Sequence, residues 1–217
     1  MKIKEIKIAT NDLTQTVSFY TQALELTIDQ RSDNRVSFKA GDSTLTFVEN
    51  SNCNKPIYHF AFNIPHNQLS EAMDWLAGRV SLLPVTPESH IAAFKQWNAN
   101  AVYFTDTNGN LLEFIARHDL NNERNTAFSG SSIECISEIG IAVESVPGYI
   151  AQLEVDYFAK QPPQEKFAAL GDDNGLLIIA EENRNWFPTD IPAGRFPMEV
   201  DFDNQRLVVA GKTGERL

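Results

Sequence analysis

The sequence predicts an α+β fold built from paired βαβββ modules, with a third module and a truncated fourth. Three observations carry this reading. Short segments alternating between two faces recur at Glu5-Ile6-Lys7-Ile8-Ala9, His59-Phe60-Ala61-Phe62-Asn63-Ile64 and Ile136–Val143. Each is followed by one helical stripe: Leu13, Val17, Tyr20 and Leu24, then Leu69, Met73, Leu76 and Val80, then Val146, Ile150 and Leu153. Each stripe is followed by short strand candidates between turn residues, so the repeating unit is strand, helix, three strands. A four-stranded sheet with one helix cannot bury both faces alone, and pairing two units closes the concave faces on each other.

The first module, residues 1–52, opens with a strand over Ile3–Ala9. Asn11 or Asp12 caps the helix that follows. Strands over Leu26–Gln30, Arg35–Ala40 and Ser43–Glu49 are separated by Asp33-Asn34 and Gly41-Asp42. The second module, residues 56–117, repeats the order from Ile57–Ile64, with a helix starting near Gln68 and a strand candidate at Leu82–Val85. A longer insert spans Thr86–Asn98. Ala101–Thr105 and Asn110–Ala116 then form a hairpin around Asp106-Thr107-Asn108-Gly109, and Asn-Gly between apolar runs is a strong hairpin signal. These two modules are expected to pair and share a cavity.

Residues 118–132 are polar and end in Ser129-Gly130-Ser131-Ser132, which reads as a linker. A third module occupies the start of residues 133–217, with Pro147 suited to a first helical turn. Its strands are expected at Val155–Ala159, Lys166–Leu170 and Leu176–Ala180. After an irregular tail rich in Pro and aromatics (Glu182–Gly194), Met198–Phe202 and Arg206–Ala210 form a last hairpin, the remnant of a fourth unit without its helix.

The chain has 217 residues, 42% hydrophobic, with a net charge of -11. That balance argues against a nucleic-acid partner and against an anionic membrane surface. No apolar run reaches the roughly 18 residues of a spanning helix. Cys53 and Cys135 lie in no paired motif and read as free thiols, so a soluble cytoplasmic protein is expected.

Glu5 and His59 hold the same place in their strands, and Glu113 lies as far beyond His59 as Glu5 lies before it. One imidazole and two carboxylates make a hard, oxygen-rich ligand set with open positions, suited to Fe, Mn, Co, Ni or Zn. Such an ion acts as a Lewis acid on a small oxygenated substrate bound bidentately. The same residues admit a plainer reading. Lys7 can pair with Glu5 and Arg117 with Glu113, leaving His59 as a satisfied cavity histidine in a metal-free small-molecule binding protein. Free carboxylates on a cavity face are costly unless paired or ligating, which keeps the metal reading open. The Asp106–Asn110 run is turn chemistry, since it lacks the spacing of a calcium loop.

Glu5-Ile-Lys-Ile-Ala-Thr-Asn-Asp-Leu13, His59-Phe-Ala-Phe-Asn-Ile64 and Asp106-Thr-Asn-Gly-Asn-Leu-Leu-Glu113, in this order, resemble the vicinal oxygen chelate superfamily. That group holds glyoxalases, extradiol ring-cleaving dioxygenases, fosfomycin-resistance transferases and bleomycin-binding proteins. The resemblance covers residues 1–117 well and 131–182 more weakly. It implies a divalent metal held by Glu5, His59 and Glu113, and a metal-dependent lyase, isomerase or dioxygenase, or else a sequestering binder. It also implies a homodimer. Thr46 falls at the position of a fourth ligand used by some members, and is a poor one. In the third unit Glu138 matches Glu5 and His59, but Ile179 stands where Glu113 would be, so this unit is expected to be structural or to cover the site or a dimer seam. Tyr103 stands where extradiol dioxygenases carry a tyrosine, a candidate hydrogen-bonding or acid-base residue. The histidine that precedes it in those enzymes is missing, Thr107 replaces their proline, and the nearest histidine is His90 in the insert.

Overall fold

A computed structural model of the chain describes residues 1–51, 53 and 55–217. The first-module boundary expected at residue 52 falls outside the described residues. Among the described residues, thirteen strands form two sheets, accompanied by three α-helices. One sheet holds β1 (Ile3–Thr10), β2 (Thr27–Arg31), β3 (Arg35–Ala40), β4 (Ser43–Glu49), β12 (Met198–Phe202) and β13 (Gln205–Val209), in the order β13-β12-β1-β4-β3-β2. The other holds β5 (His59–Ile64), β6 (Ala92–Phe94), β7 (Ala99–Thr105), β8 (Leu111–Arg117), β9 (Cys135–Val143), β10 (Phe167–Asp172) and β11 (Gly175–Glu181), in the order β10-β11-β9-β5-β8-β7-β6.

Each module folds on one rule. Its first strand runs parallel to its last, as β1 to β4, β5 to β8 and β9 to β11. The module's helix carries the chain from its first strand to the far edge, and the strands that follow return toward the first. Asp12 caps α1 (Leu13–Gln22), accepting from the Gln15 N–H at 2.8 Å. The helix buries Leu13, Thr16, Phe19 and Tyr20. Helix α2 (Leu69–Leu76) stops before Val80, and Ser145 caps the short α3 (Val146–Ile150). The Asp106 turn is tied locally. Its carboxylate accepts the N–H groups of Asn108 and Asn110, both at 2.9 Å, and the Tyr20 hydroxyl at 2.8 Å.

Two modules join through their first strands, placed side by side and antiparallel. The expected pairing of the first and second modules is not the one formed. β5 of the second module pairs with β9 of the third, while β1 pairs with β12, so the C-terminal hairpin completes the first sheet. The repeat specifies each module but leaves open which first-strand edges meet, and every such edge needs a partner. The short connection after β4 crosses to the other sheet. Residues 118–132 bring β9 alongside β5.

That connection is docked rather than free. Asn122 bonds the Ile64 carbonyl and Glu134, Gln68 bonds the Thr126 carbonyl at 2.6 Å, and Phe128 is buried. Gly41 (φ +58°) turns β3 into β4 against the backbone of Glu134, where a Cβ would stand 1.9 Å from the Glu134 oxygen. The close approach lets the Asp42 N–H bond that carbonyl at 2.7 Å and fastens one sheet to the other.

Leu82–Val85 and Val155–Ala159 are not strands; they contribute single bridges at Leu82 and Tyr157. Both lie at sheet margins, where alternation alone does not supply a second partner strand. One core fills the space between the sheets and helices. A second apolar cluster lies on the other face of the β5–β9 sheet. No helix among the described residues is long and apolar enough to cross a membrane. Cys53 and Cys135 are both free.

Candidate metal centre

Register brings three side chains to one point on the second apolar face. Ala61 of β5 lies opposite Glu113 on β8 and opposite Glu138 on β9. His59, two residues before Ala61, projects on the same face. A donor atom from each of His59, Glu113 and Glu138 lies within 4.8 Å of the others. His59 Nε2 is 3.8 Å from Glu113 Oε2. The other ring nitrogen, Nδ1, is 3.2 Å from the Leu111 carbonyl oxygen, a bond that fixes the ring and leaves Nε2 facing the carboxylates.

All three are buried, with Glu113 2% and Glu138 3% exposed. Burial sets their protonation. It lowers the His59 pKa to about 4, with the Leu111 carbonyl acting the other way, so the ring is neutral at pH 7. Burial, and then the negative charge of Glu138, hold Glu113 well above the usual carboxylate range. Glu138 is raised too, by burial, against the opposing pull of Arg117.

Arg117 is the counter-charge. It lies four residues after Glu113 on β8 and is fully buried. It donates to the Glu138 carboxylate and, through Nε, to Ser137 Oγ at 3.2 Å. Trp97 and Phe158 flank its guanidinium at 5.5 and 6.0 Å. The expected Glu113–Arg117 pair is therefore replaced by Glu138–Arg117. One arginine against two adjacent buried carboxylates leaves the site short of positive charge whenever both are ionised. A divalent cation suits that charge, and a neutral imidazole beside two carboxylates suits it as a donor set.

The cluster opens into a cavity of about 360 Å³. Tyr103 on β7 lies opposite Glu113 and lines it, its hydroxyl held protonated by burial first and then by the Glu113 charge. Trp186, from the irregular tail, stands 5.2 Å from the His59 ring. Gly140 on β9 makes room for it, since a Cβ there would meet the indole at 2.7 Å. Trp97 of the insert also lines the cavity, whereas His90 is exposed and lies outside it.

Glu5 is elsewhere. It sits on β1 in the other sheet, accepting from Thr46 Oγ1 at 2.6 Å and standing 3.8 Å from Lys7 Nζ and 3.6 Å from Arg35 Nη2. Lys7 also bonds Glu199 at 2.9 Å. The structure thus brings together His59, Glu113 and Tyr103 of the sequence-predicted residues, and not Glu5. The third module is not merely structural, because its Glu138 enters the cluster. Its position, matching His59 in the repeat, was the signal. The sequence points to Arg117 only as a partner for Glu113, and to Trp186 only as an aromatic in an irregular tail.

Comparison with known proteins agrees with the architecture. A family model described as the glyoxalase/bleomycin resistance protein/dioxygenase superfamily matches residues 2–114. A provisionally named dioxygenase from Bacillus subtilis is 15% identical, covers 96% of this chain and 67% of its own, and superposes with a TM-score of 0.60. A fosfomycin resistance protein from Listeria monocytogenes, complexed with Mn(II) and a dihydroxypropylphosphonic acid, is 18% identical, covering 54% of this chain and 89% of its own with a TM-score of 0.41. Lactoylglutathione lyase from Agrobacterium tumefaciens is 21% identical, covering 52% and 90% with a TM-score of 0.41. No curated protein matches the sequence. With more than half of its length matched by the family model and its modules built on the same rule throughout, the chain belongs to the glyoxalase/bleomycin resistance protein/dioxygenase superfamily.

Proposed function

We propose that this chain is a metal-dependent enzyme of the glyoxalase/dioxygenase type. It acts on a small oxygenated substrate, with a divalent transition metal held by His59, Glu113 and Glu138. The observation that carries the reading is the convergence of those three buried side chains, within 4.8 Å of one another, at the base of the cavity. A divalent ion bound there would polarise two substrate oxygens as a Lewis acid. Tyr103, protonated beside Glu113, donates a hydrogen bond to a substrate oxygen or moves a proton to it. Arg117 holds the Glu138 carboxylate in place, and Trp186 packs beside the His59 ring.

The test is elemental analysis of protein purified without added metal or chelator, repeated on His59→Ala and Glu113→Ala. Near-stoichiometric transition metal, lost in both variants, is the expected result. Protein that is metal-free and takes up none of Mn, Fe, Co, Ni or Zn would overturn the reading. A second reading is then favoured by one observation: the Arg117–Glu138 pair already satisfies one carboxylate. It makes the chain a metal-free binding protein using the same cavity.

A further inference from the structure

The acidic cluster occupies one part of the cavity, and the rest of the lining has a different chemistry. Phe94, Phe167, Trp186 and Phe187 supply ring faces and edges. Phe187 is 49% exposed, with its ring 6.1 Å from Phe94 and 5.9 Å from Tyr103. A large ring left in water at a cavity mouth gains by being covered by a flat apolar ligand. The volume of about 360 Å³ lies near the small end of the ~300–1,000 Å³ usual for ligand sites, which suits a compound of one ring.

Arg184 stands away from the cluster, because the Phe167 ring it faces belongs to a residue paired with Ala180, four residues along β11 from Leu176, the partner of Glu138. Arg184 lines the cavity half-buried, its guanidinium 5.0 Å from the Phe167 ring. Its guanidinium donates one long hydrogen bond, 3.4 Å, to the Asn185 carbonyl. Among the described residues it makes no ion pair, and neither does Lys95, which also lines the cavity. Arginine supplies a planar fork of donors that matches a carboxylate or phosphate, and it stays charged at any working pH. The Phe167 ring steers the fork without using its donors.

We propose that the ligand is a small planar aromatic compound carrying an anionic group at the end remote from the His59–Glu113–Glu138 cluster. Arg184 binds that group, and the rings of Trp186, Phe187 and Phe94 hold the plane. The proposal rests on the metal-dependent reading only for the end of the ligand that meets the cluster. Arg184 and the ring walls do not depend on it. The anion also offsets the Arg184 charge, so charge and shape select the same compound.

Two probes isolate the distal charge: benzohydroxamate, which chelates through two oxygens, and its 4-carboxy derivative. Binding to the full chain is followed by calorimetry and by tryptophan fluorescence, since Trp97 and Trp186 line the cavity. Metal-loaded and metal-free protein are both titrated, with metal content measured on the same samples. The 4-carboxy compound should bind roughly tenfold or more tighter than its parent. Arg184→Gln should remove that advantage while leaving the affinity for benzohydroxamate unchanged, and Arg184→Lys should restore part of it. Equal affinity of the two probes, an advantage that survives in Arg184→Gln, or no binding of either at millimolar concentration would overturn the proposal. If the protein takes up no metal but keeps an Arg184-dependent advantage for the carboxylate, the metal reading fails and this one stands. If metal binds and tightens both probes, but the two then bind with equal affinity, the reverse holds.

Discussion

The two sheets present the same strand position in opposite ways. Glu5 on β1 and His59 on β5 correspond in the repeat, and each stands where a module's first strand meets its last. Around Glu5 the neighbours are Thr46, Lys7 and Arg35, with Glu199 completing the set from the C-terminal hairpin. The carboxylate keeps 20% exposure, and every charge has an opposite. Around His59 the neighbours are Glu113, Glu138, Tyr103 and Trp186, nearly dry, with one arginine for two carboxylates. One module rule therefore yields a self-satisfied polar face in one sheet and an unbalanced acidic pocket in the other. A carboxylate at a given repeat position is informative only when its cross-strand neighbours are known.

The largest expected effect separates the two faces directly. Glu138→Gln keeps a hydrogen-bond acceptor for Arg117 but removes the charge, and metal content should fall to a small fraction of the parent's. Glu5→Gln should leave metal content unchanged. Metal loss in the Glu5 variant would erase the distinction between the sheets.

Next comes the counter-charge. Arg117→Met leaves Glu138 buried and unpaired, at a cost of about 3–5 kcal/mol. Urea denaturation should show this as a lower midpoint at unchanged slope, in metal-free protein. The double variant Arg117→Met with Glu138→Gln should recover much of the loss. A single variant as stable as the parent would mean that the pair is not the element holding Glu138.

The smallest effect belongs to the satisfied face. Lys7→Met breaks contacts that are partly solvated, and exposed ion pairs contribute about 1 kcal/mol or less. A loss at Lys7 comparable to that at Arg117, in the same denaturation series, would show that the polar face is as dependent on its charges as the pocket.

Much of the module was legible. Asp12 as a cap, the Asp106–Gly109 turn and the alternation of β5 are local, each fixed by residues within a few positions of one another. His59, Glu113 and Tyr103 could be named because strand alternation puts side chains on a stated face, and Tyr103 lies across the β7–β8 hairpin from Glu113. Glu138 is visible as a repeat-equivalent carboxylate, but Ile179 on the last strand of its unit offers no second ligand beside it. Trp186 could not be found, since an irregular segment has no period from which to infer what it covers.

The sequence by itself determined the module: its element order, its caps and turns, and which side chains share a strand face. These follow from backbone geometry and short-range hydrogen bonding. Only the tertiary structure decided which modules are neighbours. Antiparallel pairing of β5 with β9 places Glu138, not Glu5, beside His59. Several first-strand edges are chemically equivalent, and the choice among them depends on chain connection and long-range packing.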